Sequence, residues 1–248
     1  MLKKIICGLT MSLTFGIVHA QHTLPISAHA WLVADDNGKI IVGENTKEVR
    51  SIASITKIMT AMVVLDTEQS LEEVIPKKLY GVNLTRRQLL TLAIVKSDNN
   101  AAHMLCEFYP NGLQACVEAM NQKAHSLGMY DTKFSDPTGI MHTNQSTATD
   151  LVKLLNGAST YGVIREDSNT SSVVWRFEKK RVISFRNTNP IVGEQRFMVS
   201  KTGYISKAGG CIAMLVETLH GNMTIVILGS KTIRTRIPEA RIILAKHL

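Results

Sequence analysis

Short apolar runs bounded by turn residues lie near both ends of the chain and predict β-strands. Residues 28–34 and 39–42 are two such runs, and the Asp35-Asp36-Asn37-Gly38 segment between them predicts a hairpin, because Asn-Gly favours tight turns with positive φ. The last third of the chain predicts further strands. They cover residues 173–177, 182–185, 196–201, 211–218 and 223–228, and the last two form a hairpin across residues 219–222.

The middle of the chain instead has apolar residues at helical spacing. The first predicted helix runs from Ser54 to Leu65 and is apolar well beyond one stripe, which indicates burial on most sides. The other predicted helices cover residues 85–95, 101–107, 113–127, 147–155 with Ser146 as its cap, and 238–246. Strands from both ends with helices between them predict an α+β fold, in which an antiparallel sheet carries a helical insertion within a single domain.

The first 20 residues have the three parts of a secretory signal peptide. Lys3 and Lys4 form the basic region, residues 5–18 form the apolar region, and Val18-His19-Ala20 matches a small-residue cleavage site. This apolar region is too short to span a bilayer. We therefore expect an exported protein with one domain at residues 21–248 and no integral membrane segment after cleavage.

Charge adds little to this picture. The chain has 28 Lys and Arg residues against 20 Asp and Glu residues, a formal net charge of +8. The basic residues are scattered and are not interleaved with aromatic residues, so nucleic acid is not an expected partner. Weak steering toward an anionic polymer outside the cytoplasm, such as peptidoglycan, fits this charge, and so does a solvated basic surface without function.

Ser54 and Lys57 are polar residues within the most apolar predicted helix. Residues three apart lie on one helix face, so the hydroxyl and the amine can meet. A serine hydroxyl needs a base to become a good nucleophile, and an ammonium group in apolar surroundings loses its proton more readily than one in water. Free N–H groups at a helix start can also stabilise an oxyanion. The pair predicts a nucleophile beside its base, although a surface helix pair has the same spacing.

Two further triplets follow in chain order, Ser97-Asp98-Asn99 and Lys201-Thr202-Gly203. Together with Ser54-x-x-Lys57 they form the three-part signature of penicillin-binding proteins and serine β-lactamases. With its surrounding residues, the chain resembles the low-molecular-mass D-alanyl-D-alanine endopeptidases of the penicillin-binding protein 7 type over nearly all of residues 21–248. The resemblance implies a β-lactamase/transpeptidase-like fold with helices flanking the sheet, and no added C-terminal domain or membrane anchor.

The resemblance also implies a role for each matching residue. Ser54 is expected to form the acyl-enzyme, Lys57 to take its proton, and Ser97 to bridge the two lysines and protonate the leaving amine. The expected substrate-binding residues are Asn99 for a backbone amide, Lys201 and Thr202 for a carboxylate, Gly203 for close approach of the ligand, and Tyr204, whose N–H forms an oxyanion hole with that of Ser54. Helix capping by Ser97 and Asn99, and an edge-strand charge at Lys201, are the simpler alternatives.

Neither a metal nor another cofactor is expected. The histidines are scattered without ligand spacing, and no C-x-x-C pair occurs. Cys211 is expected to be buried in a strand. Cys106 and Cys116 flank the break between two predicted helices, so they form either a disulfide or two reduced core thiols.

As a function, the resemblance implies a periplasmic endopeptidase that hydrolyses the D-Ala-diaminopimelate cross-links of peptidoglycan and is acylated by β-lactams. Peptidoglycan peptides and β-lactam antibiotics are therefore the expected partners. D-Ala-D-Ala carboxypeptidase is the first alternative, followed by a β-lactamase and by a penicillin-sensing module without turnover. Class A β-lactamases position a water with a glutamate in a Glu-x-x-Leu-Asn context, which the segment around Glu166 does not match.

Overall fold

The computed structural model describes residues 25–219 and 221–247, and the predicted signal peptide lies outside the described residues. The strands are β1 (Ala30–Ala34), β2 (Ile40–Glu44), β3 (Arg50–Ser51), β4 (Val74–Leu79), β5 (Val82–Thr85), β6 (Gln145–Ser146), β7 (Ser172–Arg176), β8 (Val182–Arg186), β9 (Phe197–Ile205), β10 (Gly209–Thr218) and β11 (Gly221–Ser230). The helices are α1 (Thr56–Asp66), α2 (Arg86–Thr91), α3 (Asn99–Glu107), α4 (Gly112–Ser126), α5 (Ala148–Ala158), α6 (Gly162–Asn169) and α7 (Arg236–His247).

A five-stranded antiparallel sheet in the order β2-β1-β11-β10-β9 forms the centre of the fold. β1 pairs with β2 through the predicted hairpin and with β11 on its other side, so Ala30 lies opposite Leu228. The two ends of the chain therefore build one sheet, and α1 to α6 are inserted between β2 and β9. The predicted α+β fold with an antiparallel sheet and a helical insertion is confirmed.

Helices cover both faces of this sheet. Leu32 and Leu215 face the larger core, which includes residues of α1, α3, α4 and α5. Val33 and Met214 face a smaller core against α7. Because both faces are covered, β10 buries consecutive residues instead of every second one. None of the helices in the part of the chain that the structure describes has the length and apolarity needed to cross a membrane.

The cap of α5 differs from the prediction. Thr147, not Ser146, caps this helix, and its Oγ1 accepts a hydrogen bond from the Asp150 N–H at 3.0 Å. Ser146 belongs to β6, which pairs with β3, and its hydroxyl lies 2.7 Å from Thr132 Oγ1. Strand pairing thus holds Ser146 in extended backbone one residue before the cap.

Cys106 and Cys116 form a disulfide that joins α3 to α4, with their Cα atoms 5.3 Å apart. Both side chains are fully buried. Of the two arrangements that the sequence allowed, a disulfide or two reduced thiols, the structure contains the disulfide. Cys211 is free and buried in β10, as predicted.

Removal of this disulfide should destabilise the protein. The bridge joins residues separated by 10 positions, and closing a loop of this size stabilises a fold by about 2–3 kcal/mol through the unfolded chain. The Cys106→Ala/Cys116→Ala variant should lose this amount in urea unfolding. Reductant should move the wild-type midpoint toward that of the variant and leave the variant unchanged; equal midpoints for all samples would show that the bridge contributes nothing.

Candidate active site

A tight turn places Ser54 just before α1. Residues Ala53–Ile55 form a 3-10 turn, in which Ala53 has the left-handed φ of +47°, uncommon for a residue with a side chain. Thr56 Oγ1 donates a hydrogen bond of 2.7 Å to the Ala53 carbonyl and so stabilises the turn. Ser54 is half-buried, and its hydroxyl accepts a 3.0 Å hydrogen bond from Lys57 Nζ. The predicted contact between the two side chains is therefore present.

The amine of Lys57 is completely buried and lies within hydrogen-bond distance of three oxygen atoms. Besides Ser54 Oγ, Nζ donates to Asn99 Oδ1 at 2.8 Å and to the Thr138 carbonyl at 2.5 Å. Burial lowers the pKa of Lys57 to about 7, although the negative charges of Asp136 and Asp98 act against this shift. A large fraction of Lys57 is therefore neutral at neutral pH, which suits a proton acceptor.

Each member of the Ser97-Asp98-Asn99 triplet has a distinct structural position. α2 continues as a π-helical turn at residues Leu92–Lys96, and this turn ends at Ser97 in the left-handed conformation, φ +60°. Asp98 caps α3 by accepting a 3.0 Å hydrogen bond from the Ala101 N–H. Asn99 is the first residue of α3 and contacts Lys57. Helix capping, the simpler alternative for Ser97 and Asn99, is therefore the role of Asp98.

Ser97 makes no hydrogen bond to either lysine in the described part of the chain. Lys57 contacts Asn99 instead, and Lys201 Nζ donates to the Thr202 carbonyl at 3.1 Å. The lysine-to-lysine bridge expected of Ser97 is therefore not formed in this structure. Its half-buried hydroxyl makes no side-chain hydrogen bond within the described residues, so it is available to a substrate.

β9 brings the third triplet against the turn that holds Ser54. A Cβ atom on Gly203 would lie 3.0 Å from both the Ile52 carbonyl oxygen and the Ser54 backbone nitrogen. Glycine is therefore required for close approach of this strand to the nucleophile's turn, in addition to any room that it leaves for a ligand. Tyr204 follows with 43% of its side chain exposed.

Lys201 is 1% exposed, and the basic groups of Lys57 and Arg236 lie close enough to affect its charge. Burial first, and then the charges of Lys57 and Arg236, lower the pKa of Lys201 well below its ordinary value. The next residue, Thr202, donates from Oγ1 to Thr188 Oγ1 at 2.7 Å. Because a bound anion would offset the burial and the repulsion and so favour the charged form of Lys201, this arrangement suits a carboxylate.

Arg236 is a site residue that the motifs did not reveal. It lies at the start of α7, is 7% exposed, and donates from Nη1 to the Gly203 carbonyl at 2.6 Å. Burial lowers its pKa from the ordinary value of arginine. Its only signal in the sequence was its closeness to Arg234, and such a pair of basic residues is as typical of a protein surface as of a functional site.

The loop after Phe134 supplies the second missed group, Asp136. Its Oδ1 accepts hydrogen bonds from the N–H groups of Thr138 at 2.6 Å and Gly139 at 2.9 Å, while Oδ2 accepts from the Met141 N–H at 2.9 Å. Burial opposes ionisation of this carboxyl, but hydrogen bonds from the Thr138 side chain and from backbone N–H groups hold its pKa below the ordinary value. The carboxylate orders the loop so that the Thr138 carbonyl reaches Lys57.

The geometry combines a serine hydroxyl, a neutral amine and a buried positive region, which suits acyl transfer to serine on substrates that carry a carboxylate. Within residues 25–219 and 221–247 no group of three or more His, Cys, Asp or Glu side chains is arranged to hold a metal ion.

Comparison with known proteins gives a consistent result. The sequence profile of the peptidase S11 family, described as D-alanyl-D-alanine carboxypeptidase, matches residues 17–232. The D-alanyl-D-alanine endopeptidase of Pseudomonas aeruginosa is 38% identical over 215 residues, covering 79% of this chain and 69% of that protein. The D-alanyl-D-alanine endopeptidase of Escherichia coli K12 is 36% identical over 219 residues, covering 82% and 71%.

Among solved structures, penicillin-binding protein D2 from Listeria monocytogenes in its cefotaxime-bound form matches with a TM-score of 0.77 at 25% identity, covering 89% of this chain and 97% of that chain. This match confirms the transpeptidase-like fold that the resemblance implied. The family profile spans most of the sequence, including all three triplets. On these grounds the chain belongs to the D-alanyl-D-alanine carboxypeptidase family of serine peptidases.

Proposed function

We propose that the protein is a periplasmic endopeptidase that hydrolyses D-Ala-diaminopimelate cross-links of peptidoglycan through an acyl-enzyme on Ser54. The observation that carries the proposal is the 3.0 Å hydrogen bond between Ser54 Oγ and Lys57 Nζ, whose pKa burial lowers to about 7. The names of the relatives from Pseudomonas aeruginosa and Escherichia coli support this substrate class. The predicted signal peptide, residues 1–20, supports export, and residues 21–248 form the catalytic domain of the proposal.

In the proposed acylation step, neutral Lys57 accepts the proton of Ser54 as its oxygen attacks the D-Ala carbonyl carbon. The N–H groups of Ser54 and Tyr204 stabilise the oxyanion. Close packing of Gly203 on the turn that holds Ser54 supports this role, because it brings the backbone next to Tyr204 near the Ser54 nitrogen. Asn99 positions the substrate amide. Its Oδ1 already binds Lys57, so its amide nitrogen is left to face the substrate.

Release of the leaving strand requires a proton on its amine. Ser97 is the proposed donor and relays the proton that Lys57 accepted. Its hydroxyl is free to do so, because it makes no hydrogen bond within the described residues. Lys201 and Thr202 hold the carboxylate next to the scissile bond, and the charge of Arg236 adds to the attraction. A water then attacks the acyl-enzyme, with Lys57 again as the base, and restores Ser54.

β-Lactams are proposed to acylate Ser54 by the same route, because their strained amide resembles the D-Ala-D-Ala peptide. The cefotaxime-bound form of the structural neighbour from Listeria monocytogenes supports this proposal. Efficient β-lactamase activity is less well supported. Glu166 pairs with Arg87 at 3.0 Å, and its side chain is 70% exposed, so it does not have the buried setting of a group that holds a hydrolytic water at Ser54.

The test is digestion of purified cross-linked muropeptide dimers, with pentapeptide monomers in parallel, followed by mass spectrometry. We expect dimers to be converted to monomers, and prior incubation with penicillin to stop the reaction because Ser54 is occupied. Release of D-Ala from pentapeptides without cleavage of dimers would assign a carboxypeptidase. Intact substrates with stable penicillin labelling would assign a sensing module, and rapid loss of the label with hydrolysed penicillin would assign a β-lactamase.

A further inference from the structure

A cavity of about 350 Å³ lies next to Lys96. It is lined by Tyr80, Lys96, Arg181, Val182, Ile183 and Ser184. Two of these residues are cations and none is acidic. Lys96 directly precedes Ser97, so the cavity begins one residue from the proposed proton donor. Lys96 is paired with Asp98, so Arg181 supplies the unpaired charge that suits an anionic group such as a carboxylate.

Both cations are held in place by the tip of the β4–β5 hairpin. Lys96 Nζ lies 4.1 Å from the centroid of the Tyr80 ring, hydrogen-bonds to its hydroxyl, and lies 3.3 Å from Asp98 Oδ2. Arg181 Nη1 donates to the Tyr80 carbonyl at 2.6 Å and packs where a side chain on Gly81 would otherwise lie. This is the only hydrogen bond of the Arg181 guanidinium within the described residues. Most of its donors are therefore available to a ligand.

The wall of the cavity connects to the residues that are proposed to bind the leaving group. β8 provides residues 182–184 of the lining and leads to Thr188, whose N–H donates to the Val95 carbonyl at 3.0 Å. The Thr188 hydroxyl accepts the hydrogen bond from Thr202 Oγ1 at 2.7 Å. Because Thr202 is proposed to hold the carboxylate next to the scissile bond, these contacts link the wall of the cavity to the part of the site that is proposed to bind the leaving group.

We propose that Lys96 and Arg181 form a subsite for a carboxylate of the acceptor peptide, the part of a cross-link that leaves when the bond is cut. This inference rests on the proposed endopeptidase function. In carboxypeptidase substrates the leaving group is a single D-alanine, which ends at the carboxylate held by Lys201 and Thr202. A cross-linked acceptor continues past that point and carries further carboxylates. The subsite therefore recognises cross-linked peptides and contributes nothing to D-Ala release or to acylation by penicillin.

The test uses Arg181→Gln in the full-length protein and compares cleavage of cross-linked muropeptide dimers with acylation by penicillin, which has no acceptor peptide. Arg176→Gln is the matched control, since Arg176 is an exposed arginine on β7 of the same hairpin, opposite Val182, and does not line the cavity. We expect kcat/KM for the dimer to fall about 3- to 5-fold in Arg181→Gln, the upper part of the range of a solvent-accessible charge pair. Penicillin acylation and the Arg176→Gln control should stay within about twofold of wild type.

A second substrate separates charge recognition from a change in shape. Dimers in which only the further acceptor carboxylates are amidated, and the one next to the scissile bond is left free, should be cleaved more slowly than unmodified dimers by wild type, whereas Arg181→Gln should cleave both at similar rates. An unchanged rate on the dimer, an equal loss in Arg176→Gln, or an equal loss on amidated dimers would overturn the subsite while leaving the proposed function intact. Failure of wild type to cleave any dimer while penicillin still labels Ser54 would overturn the endopeptidase function and the subsite with it.

Discussion

Lys57→Arg should slow acylation by penicillin about 10²–10⁴-fold, the usual contribution of a general base. Lys57 can accept the proton of Ser54 because burial lowers its pKa to about 7. Arginine keeps its proton at any working pH, so the variant cannot supply the base. Ser54→Ala, which lacks the nucleophile, should show no labelling.

Acylation rates with a fluorescent penicillin, measured after folding is confirmed by circular dichroism, provide the test. Lys123→Arg is the matched control, because Lys123 lies on α4 in an ion pair with Asp66 at 3.0 Å, outside the proposed site. In wild type, protonation of Lys57 below pH 7 removes the base, so the rate should rise with pH through about 7 and fall roughly tenfold for each unit below it. Near-normal acylation by Lys57→Arg would show that Lys57 is not the base.

Gly139→Ala should have the largest effect on stability among substitutions near the site. Gly139 has φ +81°, and a Cβ atom there would lie 2.0 Å from the Ala53 carbonyl oxygen and 2.9 Å from the Ser54 nitrogen. These are backbone atoms, so no side-chain rotation relieves the overlap and the turn that holds Ser54 has to move. We expect a loss of about 3–5 kcal/mol in the free energy of unfolding.

The Gly112→Ala variant separates backbone strain from steric overlap as causes of this loss of stability. Gly112 has nearly the same φ, +83°, but a Cβ atom there would have no neighbour within 4 Å. The Gly112→Ala variant should therefore lose only about 1–2 kcal/mol of unfolding free energy, the cost of the left-handed backbone conformation, and should keep normal acylation. Urea unfolding and penicillin acylation per folded molecule should be measured for both variants. Equal losses of stability with normal acylation in both would show that the contact with Ala53 does not matter.

The sheet and most helices were predictable because their signals are local. The Asn37-Gly38 turn and the apolar runs of the C-terminal strands belong to short segments, and the structure contains the corresponding elements. The β4–β5 hairpin was missed because Pro76 and two lysines interrupt β4, which buries only two of its six residues. α6 was missed because its sequence, GVIREDSN, is mostly polar. Its buried Asp167 pairs with Arg87 at 2.9 Å, a contact between distant segments that no local pattern indicates.

The same distinction applies to the site. Spacing alone predicted the contact of Ser54 with Lys57, because one helical turn fixes it. The Thr138 carbonyl at Lys57, the Asp136 carboxylate that orders its loop, and Arg236 at the Gly203 carbonyl all depend on packing between separate elements. The roles of Ser97, Asn99, Lys201 and Thr202 remain predictions whose tests are the variants and substrates described above.

The position of β1 in the sheet also bears on how the proposed site is assembled. β1 is the first of the described strands but lies between β2 and β11, the last of them. Its pairing with β11 closes a loop that contains almost the whole chain, so the sheet forms late and folds slowly compared with a helical bundle. The turn of Ser54 packs on Gly203 of β9, two strands from β11 in the same sheet. The proposed nucleophile therefore gains its final surroundings only when the sheet closes.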